Sequence, residues 1–136
     1  MDKTNPPETF GVFKPVGHTV ITYRTALDLQ QATALLATKG FTAAALIRYS
    51  PEEMIAQVDA ELETVGFLAS FGYELDLMKA NRALALEGCS FLIVHAPDAD
   101  TAELVAEVAK SSNAVAAQHY GTFMIQEILT PMPGAK

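Results

Sequence analysis

The sequence contains one structural unit twice, and this repetition limits the folds that the chain can adopt. In each copy a short apolar strand runs into a capped helix, the helix ends at Gly or Asn, and a second strand follows at once. The copies span residues 18–49 and 90–120. Two split β-α-β units of this kind predict an α+β, ferredoxin-like βαβ-βαβ sandwich with strand order 4-1-3-2.

The first copy shows its elements through local signals. Residues 19–24 are β-branched and aromatic, which favours a strand. Thr25 is a helix N-cap with Asp28 three residues further on, and Gly40 provides the left-handed stop of that helix. Residues 41–49 are then predicted to form the second strand.

The second copy begins with the strongest strand signal. Residues 89–95 form a continuous apolar run, which is expected of a central strand covered on both faces. Pro97 and Asp98 end this strand, and Asn113 closes the helix that follows. Residues 114–120 form a further strand, whereas residues 123–129 fit either a strand or a helical turn.

Between the copies lies a predicted two-helix insertion, residues 50–88. Ser50, Pro51 and Glu53 have the spacing of a capping box with Pro at the first helical position. They predict a helix over 51–63, and apolar spacing predicts another over 71–87. We therefore divide the chain into an extended N-terminal arm (1–16), a single α+β domain (17–130, with the insertion at 50–88) and a C-terminal tail (131–136).

The first strand of the domain has no clearly polar face. Thr19, Ile21 and Tyr23 alternate with Val20, Thr22 and Arg24. The sheet face that the two repeat helices leave open must therefore be covered, either by the inserted helices or by the sheet of a second copy. From this pattern we predict a homodimer.

Composition excludes several classes of partner. The net charge is −7, and the nine Lys and Arg residues are scattered. Nucleic-acid backbones and anionic membranes require concentrated positive charge, so neither is an expected partner. The single cysteine, Cys89, rules out a disulfide within one chain and is predicted to be a small buried side chain. No apolar leader or membrane-length apolar run occurs, so a cytoplasmic location is expected.

A family resemblance adds to these expectations. The first unit, from Thr25-Ala-Leu-Asp28 through Lys39-Gly40-Phe41, resembles small bacterial general-stress proteins. The segments Tyr120-Gly121-Thr122-Phe123 and Glu127-Ile128-Leu129 are similar to those of uncharacterised proteobacterial proteins of this size. The resemblance implies a ferredoxin-like fold and a stress-associated role, and it implies no particular chemistry.

Three histidines form the candidate metal site. In a 4-1-3-2 sheet the first strand lies antiparallel between the third and the fourth. His18 at the start of the first strand, His95 at the end of the third and His119 near the end of the fourth then meet at one sheet edge. Three neutral imidazoles could bind a divalent metal such as Zn²⁺, provided that all three face the same side. The alternative is three unrelated histidines at strand ends.

The uncharged segment 64–73 is the candidate ligand site. An apolar surface loop covers a core, lines a pocket or contacts a partner. The predicted ligand-binding residues are Phe67, Phe71 and Tyr73, together with Lys79 and Arg82 on the following helix, which could hold an anionic group. Covering of the core, with both cations solvated, is the alternative.

The sequence contains no phosphate-binding loop, Cys-x-x-Cys pair, nucleophile elbow or His-Glu-x-x-His motif, and we assign no catalytic residue. The leading hypothesis is a non-enzymatic homodimeric domain that binds a small apolar or anionic ligand or has a stress-associated role. The alternative is a small metal-dependent protein or enzyme that uses the three histidines. A third possibility is a partner-binding module with segment 64–73 as its contact.

Overall fold

A five-stranded antiparallel sheet forms the centre of the protein. The computed structural model describes residues 8–9, 12–13, 16–65, 73–122 and 124–131. An N-terminal hairpin pairs β1 (Glu8–Thr9) with β2 (Val12–Phe13). The sheet itself consists of β3 (His18–Tyr23), β4 (Leu46–Tyr49), β5 (Ser90–His95), β6 (Ala114–Tyr120) and β7 (Ile125–Leu129). Its strand order is β4-β5-β3-β6-β7, so β3 lies between β5 and β6, antiparallel to both.

In the part of the chain that the structure describes, four α-helices accompany the sheet, which makes the fold α+β. They are α1 (Ala26–Thr38), α2 (Pro51–Val65), α3 (Tyr73–Leu86) and α4 (Ala99–Ser111). The predicted capping signals are confirmed. Thr25 accepts a hydrogen bond from the Asp28 backbone N–H, and Ser50 and Glu53 form a reciprocal capping box. Asn113 follows α4 with a left-handed φ of 61°.

The helices cover both faces of the sheet. Helices α1 and α4 pack on one face and α2 and α3 on the other, which we call the α1/α4 face and the α2/α3 face. Alternation along β3 places Ile21 and Tyr23 on the α1/α4 face and Val20 on the α2/α3 face. Because the inserted helices cover the second face, no second sheet is needed there, and dimerisation stays a prediction.

One predicted strand begins later than expected, and one ambiguous segment proves to contain a strand. The strand predicted over 41–49 begins only at Leu46, because Ala43–Ala45 form a 3₁₀ turn. Three consecutive alanines have low strand propensity, and their methyl groups provide little surface to pack across a pleated sheet. The ambiguous segment 123–129 contains strand β7, which pairs with β6 at one edge of the sheet.

Cys89 precedes the central strand β5 and is almost completely buried, which confirms its predicted packing role. Burial raises the pKa of its thiol and so disfavours the reactive thiolate. Among the described residues, no helix has the length and apolar character needed to cross a bilayer.

Candidate functional site: a cleft between α4 and the β6–β7 hairpin

A cleft of about 500 Å³ lies between α4 and the β6–β7 hairpin on the α1/α4 face. Its volume falls within the roughly 300–1,000 Å³ that is typical of small-molecule sites. The cleft is lined by Pro97, Asp98, Ala99, Ala102, Glu103, Ala106, Lys110, His119, Gln126 and Ile128. Of the described surface, we therefore take this cleft as the candidate binding site.

A row of neutral polar side chains runs under the cleft. Strand register places Thr19 of β3 opposite His119 of β6, and His119 opposite Gln126 of β7. Directly opposed residues in antiparallel strands share a face, so the three side chains lie side by side. Their exposure increases along the row, because Thr19 is fully buried, His119 is half-buried and Gln126 is exposed.

His119 is the central member of this row. Its Nδ1 forms a 2.8 Å hydrogen bond with the Thr19 hydroxyl, which fixes the orientation of the ring. Burial lowers the pKa of His119 below its ordinary 6.5, so the imidazole is neutral at pH 7. The other ring nitrogen, Nε2, has no partner among the described residues and is therefore available to a ligand.

The opposite wall of the cleft is a face of α4 that carries small side chains. Ala99, Ala102 and Ala106 are spaced by three and four residues, which places them on one helical stripe. Alanine side chains leave space where leucine or valine would fill it, and this is why a cleft exists here. Glu103 and Lys110 border the same stripe and are exposed to solvent.

Local hydrogen bonds position both sides of the cleft. Asp98 caps α4 by accepting from the Thr101 backbone N–H at 2.8 Å, and this bond lowers the pKa of the Asp98 carboxyl. On the other side, the Gly121 N–H donates to the Met124 carbonyl at 2.9 Å in the turn of the hairpin. A Cβ at Gly121 would lie 3.0 Å from that carbonyl oxygen, so this tight turn favours glycine.

The predicted three-histidine metal site requires correction. The three residues do reach the same end of the sheet, where His18 pairs with His95 and His119 pairs with Thr19. However, His18 and His95 point to the α2/α3 face, with ring centroids 4.8 Å apart, whereas His119 points to the α1/α4 face. The described residues include no group of three His, Cys, Asp or Glu side chains suited to hold a metal.

The structure describes only part of the predicted ligand site around segment 64–73, which stays a prediction. Phe67 and Phe71 lie outside the described residues, and Tyr73 is the first residue of α3. Lys79 is exposed. Arg82 forms a two-pronged hydrogen-bonded ion pair with Asp59 of α2, at 2.7 and 3.4 Å, so its guanidinium joins the two inserted helices.

The sequence pointed to His119, as one of three metal ligands, but not to the neighbours of His119 in the cleft. The available signal was the alanine stripe of α4, with Glu103 and Lys110 seven residues apart on the same side of the helix. The pairing of Gln126 with His119 depends on the register of β7 and had no local signal. A second cavity of about 200 Å³, beside the start of α1 and α2, is below the usual size for a ligand site.

Comparisons of the chain with protein-family models, with curated proteins and with solved structures found no match.

Proposed function

We propose that this protein is a non-enzymatic binding domain that holds a small polar molecule in the cleft between α4 and the β6–β7 hairpin. The observation that carries the proposal is the neutral polar row of Thr19, His119 and Gln126 beneath a cleft of ligand size. A few placed hydrogen-bonding groups in a concave site are the usual basis of small-molecule recognition.

The environment of His119 favours binding over catalysis. A catalytic histidine is commonly oriented by a carboxylate, which stabilises the imidazolium that forms when it accepts a proton. Here the orienting group is the neutral Thr19 hydroxyl, and burial favours the uncharged ring. His119 is therefore suited to recognise a ligand as a neutral donor or acceptor.

Filling the cleft tests this proposal. Purified protein is titrated with a panel of amino acids, short peptides, carboxylic acids and sugars, and binding is followed by chemical-shift changes in ¹H–¹⁵N spectra. Ala106→Leu should abolish binding, because the larger side chain occupies the cleft. Ala34→Leu, at an exposed position of α1 outside the cleft, is the matched control and should bind as the unmodified protein does.

Either of two results would overturn the proposal. One is that no panel member shifts the resonances of His119 and Gln126. The other is that Ala106→Leu, with its fold intact by circular dichroism, binds as tightly as the control.

We also propose that the sheet is a ferredoxin-like arrangement extended by one strand. The support is the strand order. If the four strands from β3 to β6 are numbered one to four in chain order, the sheet read from the β6 side has the order 4-1-3-2. On this proposal β7 is an addition at the outer edge.

The proposed homodimer would form through that edge, by pairing of β7 with β7 of a second copy. An edge strand presents unpaired backbone groups, and Met124 just before β7 is 70% exposed. Sedimentation equilibrium should then give twice the 14.6 kDa mass of the chain. A monomer mass across the accessible concentration range would refute the dimer and leave the binding proposal unaffected.

A further inference from the structure

Two oppositely charged side chains border the cleft and are not paired with each other or with the rest of the described chain. Glu103 and Lys110 both line it from α4, and neither forms an ion pair with another described residue. Arg82 and Arg24, by contrast, are paired with Asp59 and Glu87. Within the described residues, the cleft therefore offers the Glu103 carboxylate and the Lys110 ammonium group to a ligand, whereas the Asp98 carboxylate accepts the capping bond of α4.

The helix fixes the spacing of the two backbone positions that carry these charges. Seven residues at 1.5 Å per residue separate their Cα atoms by about 10 Å along the axis. Both side chains project from one side of the helix, so a separation of about 10 Å is open to their charged ends. Ala106 lies between them and leaves the intervening space open.

A neutral hydrogen-bonding surface lines the cleft on the side opposite α4. His119 offers Nε2 there, and Gln126 offers a carboxamide with both donors and an acceptor. These groups match the N–H and C=O of a peptide bond. The hydroxyl of Thr19, the third member of the row, is already hydrogen-bonded to His119.

Building on the binding function proposed above, we propose that the ligand is a zwitterion of tripeptide length. Its ammonium end binds Glu103, its carboxylate end binds Lys110, and its central amide groups contact His119 and Gln126. An extended tripeptide spans about 10 Å, which matches the spacing of the two Cα atoms along α4. A free amino acid carries both charges on one carbon and cannot reach both side chains at once.

Isothermal titration calorimetry with triglycine tests the proposal. Three comparison ligands each lack one feature. N-acetyltriglycine has no ammonium group, triglycine amide has no carboxylate, and glycine has both charges but not the length. Each blocked peptide should bind about three- to fivefold more weakly than triglycine, as expected for the loss of one exposed ion pair. Glycine should bind more weakly still.

Variants assign each end of the peptide to its partner. Glu103→Gln should bind triglycine and N-acetyltriglycine equally, and Lys110→Met should bind triglycine and triglycine amide equally. Glu107→Gln changes an exposed charge of α4 that does not line the cleft, and it should retain the full preference for free termini.

Two results would overturn the tripeptide proposal. One is the absence of triglycine binding, and the other is equal binding of free and blocked peptides by the unmodified protein. If other panel members still bind in a manner sensitive to Ala106→Leu, only the ligand class is wrong. If nothing binds the cleft, the proposed function fails as well.

Discussion

The hydrogen bond between Thr19 and His119 provides the sharpest test of the polar row, and Thr19→Val is the perturbation. Valine keeps the shape of threonine, so the change removes the hydroxyl without leaving a cavity in the core. Thr19 is 0% exposed and its hydroxyl lies 2.8 Å from His119 Nδ1. A neutral hydrogen bond contributes about 1 kcal/mol net to the free energy of unfolding.

The structure sets the expected size of the effect. His119 is half-buried at the cleft, so water can reach its ring, and no penalty for an unsatisfied buried nitrogen adds to the loss of the bond itself. We therefore expect Thr19→Val to lower the free energy of unfolding by about 1 kcal/mol. His119→Leu instead leaves the fully buried Thr19 hydroxyl without its partner, and should cost about 2 kcal/mol.

The double variant separates this bond from other effects. Thr19→Val combined with His119→Leu leaves neither polar group behind, so it should cost about 1 kcal/mol less than the sum of the single changes. Urea unfolding should be followed by far-UV circular dichroism, because the chain has no tryptophan to report by fluorescence. If the unfolding free energy falls with urea concentration at the same slope in all variants, the unfolded state is unchanged.

Thr42→Val is the matched control. Thr42 is exposed and makes no side-chain capping bond, so its replacement should change stability by less than about 0.5 kcal/mol. The reasoning would be refuted if Thr19→Val were as mild as the control. Strictly additive single changes would refute it too, because the two side chains would then not interact.

Two further predictions concern pH and helix capping. Burial lowers the pKa of His119 below 6.5, so its neutral form contributes stability that is complete above pH 6.5 and is lost as pH falls below that value. His119→Leu should therefore cost less at pH 5.5 than at pH 7.5 in urea unfolding, and an equal cost at both would contradict a lowered pKa. Ser50→Ala removes the N-cap of α2, in which the Ser50 hydroxyl accepts from the Glu53 N–H at 3.1 Å, and should lower the unfolding free energy by about 1 kcal/mol. Ser50→Thr retains the hydroxyl and should remain close to the original stability; the same loss in both variants would contradict the capping role.

The sequence predicted those features that depend on neighbouring residues. The cap at Thr25, the capping box of Ser50 with Glu53 and the left-handed stop at Asn113 each involve residues within one helical turn. Local bonds of this kind form in the same way whatever the tertiary fold, so they can be identified before the fold is known.

The candidate site was harder to predict from the sequence, because it depends on the register between strands that are far apart in the chain. His119 faces away from His18 because it is opposite Thr19, and a shift of one residue would have placed it with the other histidines. Its hydrogen bond joins residues that are 100 positions apart in the chain. The cleft itself arises from side chains that are small, such as Ala106, and hydrophobic patterns report large side chains more clearly than missing volume.

Strand β7 both borders the cleft and lies at an edge of the sheet, so a change at one of these places affects the other. The side chains of Gln126 and Ile128 border the cleft, and among the described strands β7 forms an edge of the sheet. Any polypeptide that joined this edge would hold the backbone from which both side chains project. Occupation of the edge and occupation of the cleft would then be thermodynamically linked, and each would alter the affinity of the other by the same factor.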